Sequence, residues 1–353
     1  MDQITQFRRL LQPHLGWHGA RLAFVALFLI ALFRVKTVNL TEIATGFCGM
    51  AQIASHDKRL QRFFADFDLD YDAIAYTVVQ WMRIPAPWVL SLDRTEWQFG
   101  GHVFNILTLG IVHEGIAFPV VYWLLDKRGN SNTQERIDVM QEFFELFAQH
   151  QIAFLATDRE FVGKDWLGYL LKRPRTPIRA RIRESEQLSD GCKSLRASVL
   201  FADLRPQDTK VLPKRRRLWG HWVYVAATRL EDHYWLIVIT DQRPETAIPD
   251  YAKRWSIETL FGAFKTRGFC LEATHFIDDY RIRKLVALLS LALCWAFLTG
   301  LWLHQHNPLQ LKSHGRREKS LFRYGFDYIR NIVLNLDQKM EQFREILQFL
   351  SCT

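Results

Sequence analysis

Between Pro87 and Asp158 the chain reads as strand, strand, strand, helix, strand, and that order limits the fold more than any other stretch. The runs WVLSLD, VFNILTLGIV and IAFPVVYWLL are apolar and rich in β-branched and aromatic residues. Gly100, Gly101, Glu114, Gly115 and Asp126 punctuate them, as in a meander of strands. Ser131 followed by Gln134 predicts a capping box at the start of a helix running to about His150. IAFLATD then reads as a buried strand that ends at Asp158. Asp93 falls in the first strand and Asp158 closes the fourth, each after an apolar run, so both carboxylates are expected at a sheet edge. Taken alone, an aspartate at a strand end is more often a turn or cap residue than a ligand.

The stretch Tyr251 to Lys265, YAKRWSIETLFGAFK, supplies the third acid. Read as one helix at about 100° per residue, it places Tyr251, Arg254, Glu258 and Lys265 within roughly 60° of one another. Trp255, Ile257, Leu260, Phe261 and Phe264 cover much of the rest of the circumference, so this polar stripe is expected to line a cleft rather than face water. A plain solvated row of i,i+4 charge pairs, Arg254 with Glu258 among them, would use the same residues. A carboxylate flanked by cations and a phenol inside a cleft suits a metal ion bound to a phosphate chain.

The spacing Y-x2-R-x3-E-x6-K resembles the YREK signature of bacterial insertion-sequence DDE transposases of the cut-and-paste group numbered four. The resemblance spans roughly Pro87 to Arg330, and it implies that Asp93, Asp158 and Glu258 are the catalytic triad and the metal ligands. Three strands, a helix and a fourth strand are also the opening order of an RNase H-like fold, which carries metal-binding carboxylates on its first and fourth strands. The expected fold class is therefore α/β, an RNase H-like catalytic core interrupted by a β-rich insertion, with helical N- and C-terminal regions. The expected divisions are 1–85 helical and DNA-binding, 86–162 core, 163–244 basic insertion, 245–305 core with the YREK helix, and 306–353 helical. Three carboxylates suit two Mg2+ ions about 3.5 to 4 Å apart, with Mn2+ as a substitute. One ion would activate water or a 3′-hydroxyl, and the other would stabilise the leaving oxygen. Tyr251, Arg254 and Lys265 would hold DNA phosphates. By the same resemblance, Trp235 in WLIVIT is aligned with a residue that stacks on a flipped base.

The whole chain of 353 residues carries a net charge of +9 and a pI near 9.4, which favours a polyanionic partner. From Lys164 to Arg217 there are fifteen Lys and Arg against six Asp and Glu, an excess equal to that of the entire chain. Arg173, Arg175, Arg179, Arg181, Arg183, Arg215 and Arg216 belong to this segment and are expected to neutralise DNA phosphates. Lys58, Arg59 and Arg62 sit together in SHDKRLQRFFADF, either on a helix-turn-helix laid against DNA or on the wet face of a packing module. WGHWVYVAATRL and HYWLIVIT read as two strands joined by a turn around Glu231 and Asp232.

Cys48, Cys192, Cys270, Cys294 and Cys352 are odd in number and scattered without a C-x-x-C pair, which favours a reducing compartment and no structural zinc. The first residues have no signal-peptide layout. Leu285 to Leu303 is uncharged over 19 positions and meets the length of a membrane span, but its polar interruptions and lack of a second span favour a helix buried behind a sheet. The expected protein is a cytoplasmic, nucleoid-associated enzyme with no membrane partner. It would bind the terminal inverted repeats of its own element as a homodimer in the synaptic complex, cut them and join the 3′-hydroxyl ends to target DNA, with a hairpin intermediate implied by the resemblance. The alternatives are an RNase H-like nuclease without strand transfer and a catalytically dead DNA-binding regulator; a membrane-anchored protein is a third.

Overall fold

The computed structural model describes residues 3–47, 51–172, 176–231, 234–313, 315 and 317–351. Cys48, Arg173, Arg175, Asp232 and Cys352 lie outside the described residues. Five helices come first: α1 (Gln3–Leu11), α2 (Gly19–Val35), α3 (Leu40–Gly46), α4 (Ile53–Asp66) and α5 (Tyr71–Met82). In α2 every residue from Phe24 to Phe33 is buried, so the helix is a core element with no solvent face over that span. By contrast, α4 is two-faced. It buries His56, Leu60, Phe63 and Phe64 and leaves Lys58, Arg59 and Arg62 in water.

The anticipated meander follows as β1 (Trp88–Phe99), β2 (His102–His113) and β3 (Ile116–Leu124), then α6 (Thr133–Phe147) and β4 (Ile152–Thr157). The cap of α6 differs from the sequence expectation. Asn132, not Ser131, accepts from the Glu135 amide, and Glu135 returns a bond to the Asn132 amide. Ser131 is buried instead, where its hydroxyl accepts from Arg136 Nε at 2.9 Å.

After α7 (Lys164–Leu171) the chain makes β5 (Ile178–Ile182), β6 (Gln187–Ser189), β7 (Ser194–Arg196), α8 (Ala197–Leu200), β8 (Thr209–Val211), β9 (Arg216–Leu218), β10 (His221–Arg229) and β11 (Trp235–Thr240). All the strands join one mixed sheet in the order β3-β2-β1-β4-β5-β11-β10-β9-β6-β7, with β8 on β10. The sheet passes without a break from the first four strands into the basic segment, because β5 pairs in parallel with β4 and antiparallel with β11. Its central strands are buried on both faces, which accounts for their unbroken apolar runs.

The remaining elements are helical: α9 (Ala247–Ala252), α10 (Trp255–Phe264), α11 (Asp279–His306), α12 (Leu321–Leu334) and α13 (Met340–Gln348). Although α11 is long and apolar enough to cross a membrane, most of it is buried in the protein. It packs against α12, α5, α2 and β3, as expected of a helix behind a sheet. Its one fully buried cation, Lys284, donates to the Phe64 carbonyl at 2.8 Å and lies over the Tyr280 ring, so its charge is not left bare. The α11–α12 crossing depends on two glycines. A Cβ on Gly300 would stand 1.9 Å from the Leu321 carbonyl oxygen, and one on Gly325 would stand 1.8 Å from that of Ala296.

Candidate active site

The sheet register brings the first two acids to one place. Leu92 of β1 is paired in parallel with Thr157 of β4, so the next residues, Asp93 and Asp158, leave that row together at the same end. Across β5 the same level is occupied by Arg181, paired with Val238 of β11. Asp93 is buried, with its carboxylate accepting from the Arg94 amide, and Asp158 likewise accepts from the Arg159 amide.

The third acid arrives on a broken helix. The single helix expected from Tyr251 to Lys265 is two, α9 and α10, joined at Lys253 and Arg254 by i→i+3 backbone bonds such as Arg254 N to Tyr251 O at 2.9 Å. The tight joint points Tyr251, Arg254 and Glu258 at the sheet edge. Arg254 Nη1 stands 2.9 Å from Asp93 Oδ2 and 3.4 Å from Glu258 Oε1. The Tyr251 hydroxyl donates to Asp158 Oδ1 at 3.2 Å, and Arg181 Nη1 lies 3.7 Å from the same oxygen. Arg254 thus bridges Asp93 and Glu258, and Tyr251, one turn before it, holds Asp158.

Electrostatics follow from this packing. Burial pushes the Asp93 carboxyl up to about 7, helped by Glu258 and Glu160 and opposed by Arg254 and the Arg94 amide. Burial raises the Tyr251 phenol well above its ordinary value, with Asp158 adding to the effect, so it stays a neutral donor. For Arg254 burial alone would lower the pKa, but Tyr251, Asp93, Asp158 and Glu258 outweigh it and hold the group above its ordinary value. Arg254 is therefore a permanent cation set among carboxylates.

Lys265 does not share this cluster. It caps the end of α10, 2.8 Å from Glu272 Oε1 and 3.2 Å from the Glu96 carbonyl, over the Trp97 ring. Arg179 is corrected from surface cation to core residue: it is 2% exposed and its donors reach Asp250, Thr240 and the Ile178 carbonyl. It alternates with Arg181 along β5, but α9 covers it. Arg183 is exposed, Arg215 is exposed with its guanidinium 4.6 Å from the Tyr224 ring centre, and Arg216 turns back onto the carbonyls of Lys214 and Arg215. Trp235 is half-buried, with Arg229 stacked 4.8 Å from its ring centre.

Three features were not anticipated from the sequence. Trp255 was expected to be buried, yet it is 66% exposed beside Arg254, at the mouth of a hollow of about 530 Å³ that His113, Glu114 and Lys253 also line. Arg94 joins the two strand-end loops, reaching Glu96, Glu160 and Asn130. Arg136, 5% exposed, binds Ser131 and the carbonyls of Glu160 and Val162, which fixes the loop that follows Asp158. The only sequence signal was position: Arg94 adjoins Asp93, and Glu160 lies two residues after Asp158.

Residues 86–295 match the sequence model of the family described as Transposase DDE domain. The chain belongs to that family. Membership makes this a DNA transposase fold of mixed α/β type in which the carboxylate cluster falls wholly inside the matched segment. Among solved structures the transposase is similar to the piggyBac transposase synaptic complex with hairpin DNA, at 10% identity and a TM-score of 0.47, over 98% of this chain and 82% of that one. No curated protein sequence matches it.

Proposed function

We propose that the chain is a metal-dependent cut-and-paste transposase of the YREK group with an RNase H-like core, whose catalytic and metal-binding residues are Asp93, Asp158 and Glu258. The observation that carries this reading is the convergence of these acids on Arg254 and Tyr251. Two polar residues of the motif reach three acids that the sequence spreads over 165 positions. The order β3-β2-β1-β4-β5, with β2 antiparallel and β4 and β5 parallel to β1, supports the RNase H-like reading.

Among the described residues no three His, Cys, Asp or Glu side chains stand in a ready ligand arrangement. The donor chemistry nevertheless fits a divalent cation, because Asp93 and Glu258 offer hard oxygens that already converge on one positive group. Asp93, Asp158 and Glu258 would hold Mg2+ or Mn2+, which would supply charge to activate the attacking hydroxyl and stabilise the leaving oxygen. The protein's own contribution is positional. The sheet fixes Asp93 and Asp158, Arg136 and Arg94 hold the loops behind them, and Tyr251 keeps its proton as a donor. Arg254 has the planar donors to grip a phosphodiester in place of carboxylates. Arg181, Arg183, Arg215 and Arg216 extend a basic surface for the DNA backbone, and Lys265 lies along the β1 edge.

Terminal inverted repeats and target DNA are the proposed partners, with a homodimer pairing the two ends, a hairpin intermediate and a cytoplasmic setting. Trp235 and the more exposed Trp255 are both candidate platforms for an unstacked base. The test is incubation of purified protein and Mg2+ with a supercoiled plasmid that carries the coding sequence and its natural flanks. Excised and joined products in the wild type, absent in Glu258→Gln, support the reading. Cut ends without joining would reduce it to a nuclease, and intact plasmid would refute it.

A further inference from the structure

Helix α9 carries Tyr251 into the carboxylate cluster, yet its own sequence does little to hold it there. Its six residues, Ala247–Ala252, fall well short of the roughly 12 to 15 at which a lone helix becomes even marginally stable. Only Ala247 and Tyr251 of the six are buried, in a small apolar group with Ala226 and Val238 that is separate from the main core. Thr246, at the start, makes no side-chain cap. The seat of α9 is therefore set from outside, and the sheet beneath it supplies an anchor.

That anchor is Arg179, the buried cation of β5. Each of its guanidinium nitrogens is engaged. Nε and Nη2 donate to Asp250 Oδ2 at 3.2 and 3.0 Å, and Nη1 donates to Thr240 Oγ1 of β11 and to the Ile178 carbonyl at 2.6 and 2.9 Å. The Thr246 hydroxyl donates to the same Asp250 oxygen at 2.8 Å, and the guanidinium carbon lies 5.0 Å from the ring centre of Phe154 in β4. Residues of three neighbouring strands thus gather around one carboxylate of α9. Their spacing matches the cluster. Arg179 and Arg181 are two apart on β5 and share a face, while Asp250 and Tyr251 are consecutive on α9. Arg179 takes Asp250, and both Arg181 and Tyr251 meet Asp158 Oδ1. A slip of α9 by a single residue would turn Tyr251 by about 100° and carry it about 1.5 Å along the axis, away from that oxygen.

A buried ion pair adds little net stability over well-packed apolar residues of like volume, so stability alone does not account for Arg179 and Asp250. We propose that they are positioning residues, which lock α9 in the register that puts Tyr251 on Asp158 and Arg254 on Asp93. The reaction they serve rests on the transposase reading above; the seating of α9 does not.

The test is fluorine NMR of the full chain with 3-fluorotyrosine in place of Tyr251, beside single-turnover cleavage in Mg2+ of the plasmid described above and DNA binding by anisotropy. Asp158→Asn shows where the resonance goes when the bond between Tyr251 and Asp158 is lost. Arg179→Met should shift or broaden the resonance away from its wild-type position, slow cleavage roughly a hundredfold, as a displacement near 1 Å can, and leave DNA affinity within a few-fold. Arg179→Met with Asp250→Leu makes the pair apolar and covers the case in which the single variant fails to fold. Its melting temperature should stay near that of the wild type while the resonance and the cleavage rate remain displaced. A resonance unmoved from wild type in either folded variant makes the pair structural only and overturns the proposal. A displaced resonance with wild-type cleavage overturns it too, because the reaction would then not depend on the seat of α9. No cleavage by the wild type sinks the transposase reading instead, and the resonance alone then decides whether the pair seats α9.

Discussion

Truncating Arg254 to alanine should expose how the acid cluster is held in the absence of metal. The side chain is 5% exposed and its Nη1 sits 2.9 Å from Asp93 Oδ2, so its removal leaves a buried carboxylate with Glu258 and Glu160 as neighbours. Removing one partner of a buried ion pair costs about 3 to 5 kcal/mol. Here the lower figure is expected, because Asp93 can escape by taking up a proton. Its folded pKa, about 7, already lies above the ordinary 3.8. A folded pKa above the unfolded one means that ionised Asp93 opposes folding, a cost that grows as pH rises through this interval and is complete above about 7. Arg254 offsets that cost only while Asp93 is charged. In EDTA-treated protein, urea melts should therefore show Arg254→Ala about 3 kcal/mol less stable than the wild type well above pH 7, and clearly less affected well below it. In the Asp93→Asn background the pH dependence of the difference should vanish. A loss equal at both pH values, or no loss at high pH, would refute the coupling of Arg254 to Asp93.

Other outcomes follow from the same contacts. Asp158→Ala and Glu258→Ala should abolish Mg2+-dependent DNA cleavage in a gel assay while DNA affinity stays within a few-fold of wild type, since the basic surface is untouched. Asp93→Asn, also inactive, should be at least as stable as the wild type above pH 7 in thermal melts, because it removes a charge that burial penalises. Arg136→Ala should cost roughly 3 kcal/mol in urea melts by stranding the Glu160 and Val162 carbonyls, and should lower cleavage more than DNA binding. Gly325→Ala should destabilise by at least about 2 kcal/mol, read as a lower melting temperature, because α11 and α12 cannot separate without losing core contacts.

Much of the site was legible in the sequence because it rests on local rules. Apolar runs ending in Asp93 and Asp158 marked strands and their level, and the parallel pairing of Leu92 with Thr157 then set both acids side by side. The stripe of Tyr251, Arg254 and Glu258 held because the i→i+3 joint keeps these residues on one side even though it splits the helix. Lys265 falls outside that stripe because the geometry of one long helix was carried past its real end at Phe264. Arg179 and Trp255 show the other limit. Alternation along a strand tells which residues share a face, but not whether a later helix such as α9 covers that face or leaves it open. The extension of the sheet through β5 and β11 was hidden because pairing partners distant in sequence leave no periodic trace.

We propose that Asp93, Asp158 and Glu258 share divalent cations. It is tested most directly by anomalous diffraction at the manganese edge from crystals soaked in Mn2+. Manganese peaks are expected among the three carboxylates in the wild type, lost or displaced in Glu258→Gln. Peaks elsewhere on the protein with none among these acids would contradict it.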